Sequence, residues 1–209
     1  MADDHPLARE GLALAVRHAI PGAIVTYAGT IAEAEAAASR PGTFDLALLD
    51  LLLPDTRGFS GLLRLQFSLP GVPIVVITAR EEPSLPPIAR NLGAAGFLRK
   101  STALDELAEA LRRIAAGRPI FPDDAAQTPV GVASKAVSIR DRIAALSGAQ
   151  RRVLFALADG AANKRIAYDL DVGEATVKAH LTAIFRRLGV TNRMQAILAV
   201  QPLLGDGEP

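Results

Sequence analysis

Residues 163–193 read NKRIAYDLDVGEATVKAHLTAIFRRLGVTNR, two helical patterns divided by a short turn. Ile166, Ala167 and Leu170 line one side of the first pattern, and Asp171-Val172-Gly173 makes the turn. The second pattern begins near Glu174. At 3.6 residues per turn, its Val177, Leu181, Ile184, Phe185 and Leu188 fall on one apolar stripe. The opposite face carries Ala175, Ala179, Thr182, Ala183 and Arg186, with Lys178 on its flank. Small side chains let a helix approach closely, and cations meet phosphates or guanine edges, as insertion into the major groove of DNA requires. Two helices with a tight connection form a helix-turn-helix, whose second helix does the reading.

Charge follows the same division. The chain has 209 residues and a net charge of +1. Residues 1–118 hold 12 basic and 13 acidic side chains, whereas residues 147–200 hold 8 basic and 4 acidic ones, so the excess of cations lies with the helix-turn-helix. Half the chain is hydrophobic, enough for a core or two. No run of eighteen apolar residues reads as a membrane span, and two aspartates close behind Met1 do not make a signal peptide. With no cysteine there is neither a disulfide framework nor a thiolate metal site. His5, His18 and His180 lack metal-ligand spacing. A cytoplasmic protein is the expectation.

Toward the N-terminus, apolar runs alternate with helical patterns. Residues 7–19 repeat at helical spacing and stop at Pro21-Gly22. Residues 23–28 read as a β-branched strand. Thr30 opens a helix with Glu33 three residues on, a capping box. Residues 44–49 form a strand ending on Asp50, residues 54–58 a turn, and residues 61–69 a helix. Residues 72–77 are an unbroken apolar strand ending at Thr78, and a short helix over residues 88–92 follows, with Pro86 and Pro87 in or before its first turn. Residues 96–98 are a strand ending near Lys100. Ser101 or Thr102 caps the next helix, and Gly117 ends it. Such alternation predicts a parallel α/β sheet covered on both faces, with function gathered at the carboxyl ends of its strands. Asp50, Thr78 and Lys100 sit at those ends, and Asp3-Asp4 precedes the first helix. Clustered carboxylates call for a cation, and hard oxygen donors suit Mg²⁺. A hydroxyl and an ammonium suit the oxygens of a phosphoryl group.

Two resemblances sharpen this reading. Leu146-Ser147, Val153-Leu154, Gly160, Asn163-Lys164, Ile166-Ala167, Leu170, Thr176-Val177-Lys178, His180, Leu188 and Asn192-Arg193 resemble the LuxR-type DNA-binding domain. That likeness implies an all-α domain of four helices in which Lys178, Ala179 and Thr182 face base edges. It places Asn163, Lys164, Thr191, Asn192 and Arg193 on phosphates; Thr176, within the motif, and Arg186, on the small basic face of the second helix, are expected on the same DNA-binding surface. Asp3-Asp4-His5-Pro6-Leu7, Arg9-Glu10-Gly11, Asp50 with Pro54 and Gly58, Thr78-Ala79, and Gly93-Ala94 with Gly96-Phe97 and Lys100 resemble the receiver domain of two-component response regulators. Together they resemble the NarL/FixJ type over nearly the whole chain. The implied roles follow. Asp50 is the phosphoacceptor for a histidine kinase. Asp4, Asp50 and the Leu52 carbonyl bind Mg²⁺, with Asp3 acting through water. Lys100 pairs with phosphoryl oxygens, and Thr78 and Phe97 are the switch pair. The expected layout is a doubly wound α/β receiver over residues 1–118, a linker over 119–143, and a helix-turn-helix domain over 144–209, pairing as a homodimer on DNA when active.

The chain departs from both patterns in places. Only Met1-Ala2 stands where the receiver has a buried first strand, so the sheet is expected to lack that strand. A true start upstream of Met1 is the expectation, a damaged receiver the alternative. Ser147-Gly148-Ala149-Gln150 replaces the usual Thr-Pro-Arg-Glu and loses a carboxylate. Ala162 stands at a poor N-cap position, which Asn163 can take over. The function expected is therefore a phosphorylation-controlled transcriptional regulator. A regulator that binds DNA without phosphorylation is the alternative. An aspartyl-phosphate phosphohydrolase needs Asp-x-Asp, and Leu52 stands at its second carboxylate, so no enzyme is expected. A pure interaction module leaves the basic second half without purpose.

Overall fold

The computed structural model describes residues 1–40, 42, 44–122, 139 and 141–204, the last four by backbone alone. The chain divides into two compact units, Met1–Thr128 and Pro129–Pro209. No helix among the described residues is long and apolar enough to cross a membrane.

The first unit alternates as the apolar runs require: α1 (Pro6–Ala19), α2 (Ile31–Ala38), β1 (Ala47–Leu49), α3 (Ser60–Ser68), β2 (Ile74–Thr78), α4 (Leu85–Asn91), β3 (Gly96–Arg99) and α5 (Leu104–Ala115). The strands are parallel in the order β1-β2-β3, with Leu48 beside Val75 and Val76 beside Phe97. All residues of β1 and β2 are buried, which is why they read as unbroken apolar runs rather than alternating ones. Leu48, Val75, Ile77 and Leu98 meet Leu12, Val16, Leu107 and Leu111 in one core, so α1 and α5 cover that side of the sheet. Each such side chain contributes about 1.5–3 kcal/mol by leaving water.

Residues 23–28 do not form the expected strand. Only Ala28 is bridged, and its partner is Ala2, which also bridges Leu49. Ala2 N–H donates to Leu48 O at 2.9 Å, Asp50 N–H to Ala2 O at 2.9 Å, and Asp3 N–H to Ala28 O at 3.0 Å. Met1–Asp3 thus takes the place of the first strand, and three residues supply too few rungs to draw residues 23–27 into a ladder. Beside them an apolar cleft lined by Ala34, Ala37, Phe44, Leu46, Leu65 and Leu69 leaves part of the core uncovered.

Two caps differ from expectation. Thr30 Oγ1 does accept Glu33 N–H, but the Glu33 carboxylate accepts from Gly29 N–H, one residue before the cap, so the box is displaced. At α5 the cap is Ala103, with no side-chain bond; Thr102 N–H instead turns back to Arg99 O, and Asp105 and Glu106 meet the helix dipole. Beyond α5, Ile120 returns to the sheet. It bridges Gly96 and accepts Phe97 N–H at 2.8 Å, so the first residues of the expected linker cover the free edge of β3. Gly96 admits this approach because a Cβ there would stand 2.6 Å from Ile114 Cδ1 and 3.1 Å from Ile120 O. The rest of the expected linker, residues 123–138 and Arg140, and the tail 205–209 lie outside the described residues.

In the second unit, residues 141–144 are helical, ahead of α6 (Gly148–Ala158), α7 (Asn163–Asp169), α8 (Glu174–Leu188) and α9 (Arg193–Leu204). Val177, Leu181, Ile184 and Leu188 are the buried residues of α8, matching the stripe, with Phe185 half-buried. Gly189, at φ 72°, ends the helix in a left-handed cap that a Cβ would disfavour. Ser147 and Gln150 form a complete capping box on α6, so Gln150 supplies the acceptor that the missing carboxylate would have given.

Candidate functional site

Sheet register gathers the acidic site. Thr78 closes β2 opposite Arg99, and Lys100 N–H donates to Thr78 O at 2.9 Å, which fixes Lys100 just beyond the carboxyl ends of the strands. Asp50 follows β1 directly, and Asp3 is held beside it by the short ladder described above. Asp3, Asp50 and Thr78 are all buried, at 0%, 1% and 0% exposure. Lys100 Nζ lies 2.5 Å from Asp50 Oδ2 and 2.7 Å from Asp3 Oδ2. Burial works against this ammonium, but the Asp3 and Asp50 carboxylates outweigh it and hold its pKa above the usual lysine value.

The donor set fits a hard divalent cation. Asp3, Asp4, His5 and Asp50 each bring a ligand atom within 4.8 Å of the others. Asp3 Oδ2 is fully buried against the Lys100 ammonium at 2.7 Å and, among the described residues, meets no aligned hydrogen-bond donor, so it keeps lone-pair capacity for a cation. Asp4 is partly exposed, and its Oδ1 lies 2.8 Å from His5 Nδ1. His5 is the residue the sequence reading left out of this site; its adjacency to the aspartate pair was the available signal. Leu52 N–H donates to Asp50 Oδ1 at 3.1 Å, which turns the segment after the strand back over the carboxylate. Phe97 is buried on β3 at 2% exposure.

The second unit presents the other expected surface. Thr176, Lys178, Ala179, Thr182 and Arg186 are exposed on α8, and Thr182 Oγ1 donates to Lys178 O. Lys164 is exposed at the start of α7 and Asn163 half-buried. Ala162 remains the cap of α7 without a side-chain bond, so Asn163 does not take over. The residues expected on phosphates after α8 also do local work. Asn192 Oδ1 caps Gln195 N–H, Thr191 bonds Gln195 Oε1, and Arg193 donates to Ala161 O. Arg187 donates to Ala145 O at 2.9 Å, and Arg142 donates to Leu188 O at 2.7 Å, together tying the lead-in turn to the end of α8. Asp171, at φ 51°, turns the chain between α7 and α8 in a conformation Asp tolerates better than most residues.

Two families match. The response regulator receiver domain matches residues 1–112, and the bacterial regulatory proteins of the luxR family match residues 144–200. The glycerol metabolism activator of Pseudomonas putida is 35% identical over 204 residues, spanning 95% of this chain and 92% of its own. The nitrate/nitrite response regulator protein NarL of Escherichia coli strain K12 is 31% identical over 207 residues, 96% of this chain and 93% of its own. A solved structure of RcsB from Salmonella enterica serovar Typhimurium, bound to promoter rprA in the presence of phosphomimetic BeF3-, aligns with a TM-score of 0.52 and 22% identity. It spans 96% of both chains and supports the fold alone. The chain belongs to the response regulators, as a receiver domain joined to a LuxR-family DNA-binding domain.

Proposed function

We propose that Asp50 accepts a phosphoryl group from a histidine kinase and that this controls DNA binding through α8. The observation that carries the first half is the Asp3–Lys100–Asp50 triad, two buried carboxylates on one ammonium at the ends of parallel strands. Asp50 attacks phosphorus; the phosphohistidine P–N bond breaks as the new O–P bond forms, and the imidazole nitrogen takes up a proton. Asp3, Asp4, Asp50 and the Leu52 carbonyl are the groups to hold Mg²⁺, with His5 at the rim. Mg²⁺, when bound, neutralises charge on the phosphoryl oxygens. Lys100 then leaves its resting partners for a phosphoryl oxygen, and Thr78 Oγ1, buried beside it, donates to another. Phe97 shares the β3 edge and is the aromatic partner in that switch. The triad assembles with only three residues in the place of the first strand, which favours this reading over a phosphorylation-independent regulator. Leu52 at the second position after Asp50 argues against a phosphohydrolase. Labelling with acetyl phosphate and Mg²⁺, located by mass spectrometry, tests the assignment.

For DNA, α8 supplies the reading face and the residues around it the phosphate contacts. Lys178→Ala is expected to weaken binding to a selected DNA site by about 1–3 kcal/mol with relaxed sequence preference if Lys178 meets a base. If it meets phosphate alone, all sequences weaken alike and the salt slope falls by about one. Equal affinity and equal slope in the variant remove Lys178 from the interface. One short reading helix covers few base pairs, so two domains on adjacent half-sites gain specificity through effective concentration. Sedimentation of the phosphorylated protein on DNA with two half-sites is expected to give two chains per DNA; one chain at saturation with full specificity contradicts the dimer.

A further inference from the structure

The segment that follows Asp50 is fastened to a helix distant in sequence. Asp55 accepts Ile31 N–H on Oδ1 at 2.9 Å and Ala32 N–H on Oδ2 at 3.0 Å. Its carboxylate therefore satisfies the first two free amides of α2, and Thr30 Oγ1 satisfies the third, on Glu33. Leu51 and Leu53 are buried on either side of Leu52, which is itself 46% exposed. Thr56 N–H turns back to Leu53 O. The Leu52 carbonyl thus belongs to a segment held at its start by the Asp50 carboxylate and on its far side by Asp55.

We infer that Asp55 is a positioning residue: its two bonds to α2 hold the residue 51–56 segment so that the Leu52 carbonyl and Asp50 present their oxygens together to the divalent cation. The inference rests on Asp50 being the phosphoacceptor. A carbonyl ligand has no freedom to rotate independently of its backbone, so its aim is set by whatever holds the segment, as partners behind a metal ligand commonly set the ligand's direction. Without the anchor the exposed part of the segment around Leu52 samples orientations that turn the carbonyl away, and the cation then has to reorder it on binding.

Thr30→Ala removes the neighbouring cap on the same helix without touching the segment, so it reports the effect of a loosened α2 alone. Calorimetric titration of the full chain with Mg²⁺ is expected to show about tenfold weaker binding for Asp55→Ala and a change within about twofold for Thr30→Ala. Asp55→Asn, which keeps one oxygen toward Ile31 N–H, is expected between wild type and Asp55→Ala, and provides the comparison if the alanine variant does not fold. The Mg²⁺ concentration giving half-maximal acetyl-phosphate labelling is expected to move in step. Equal Mg²⁺ affinity in Asp55→Ala and wild type overturns the inference, as does a loss in Thr30→Ala as large as that in Asp55→Ala. A wild-type chain that binds Mg²⁺ but takes no label on Asp50 overturns the phosphoacceptor reading itself, a failure visible before any Asp55 variant is compared.

Discussion

Asp50→Asn is expected to take up no phosphoryl label from acetyl phosphate or from a phosphorylated kinase, while keeping its fold. The carboxamide matches the carboxylate in size, so the position after β1 stays filled. It offers a neutral oxygen in place of an anionic nucleophile. One of the two anions facing Lys100 Nζ also disappears, since Asp50 Oδ2 lies 2.5 Å from it and only the Asp3 contact at 2.7 Å remains. Asp3 and Asp4 are the other carboxylates in reach, and label appearing on either in the variant, at the wild-type rate, refutes the assignment. Stoichiometric labelling of wild type on a single peptide containing residue 50 is the matching positive result.

Lys100→Ala should have the largest effect on stability. Asp3 and Asp50 are both buried, and each carboxylate depends on the same ammonium. Removing it leaves two like charges close together and takes from Asp3 Oδ2 its cationic partner at 2.7 Å. Breaking a buried charge pair by removing one partner costs about 3–5 kcal/mol. Divalent cation should repair much of this, because the same oxygens converge on a site that no ammonium then contests. At about a hundred times its dissociation constant, a ligand bound to the folded state alone returns about 2.7 kcal/mol. Urea unfolding of wild type and variant, each with and without Mg²⁺, measures both terms. A variant as stable as wild type without Mg²⁺, or one that gains no more from Mg²⁺ than wild type does, contradicts this account of the triad.

The parts of the fold visible in the sequence are those fixed by short-range pattern. The stripe from Val177 to Leu188 follows from helical period, and all of its residues but the half-buried Phe185 are buried on α8. Asp50, Thr78 and Lys100 were legible because each ends a run buried on both faces, where a polar residue marks the strand end. Residues 23–28 misled for the same reason: a β-branched run reads as a strand, but a strand exists only where a neighbour supplies a ladder, and Met1–Asp3 supplies one rung. The contacts that could not be read are those between distant residues. Asp55 reaches back to α2, Ile120 closes on Gly96, and Arg187 turns to Ala145. Gln150 in place of a carboxylate was readable, since a Ser-x-x-Gln spacing satisfies a capping box as well as Glu does. His5 lay beside the aspartate pair and was passed over for want of a second histidine.

The claim that joins both halves of the molecule is that charge on Asp50 changes how tightly α8 holds DNA. Fluorescence anisotropy of the full chain on a duplex selected from random sequence by the phosphorylated protein measures this directly. Wild type treated with acetyl phosphate and Mg²⁺ is expected to bind at least about tenfold more tightly than untreated protein, a shift of about 1.4 kcal/mol. Asp50→Asn is expected to show the same affinity with and without treatment. Equal affinity of treated and untreated wild type, with Asp50 fully phosphorylated, would contradict it.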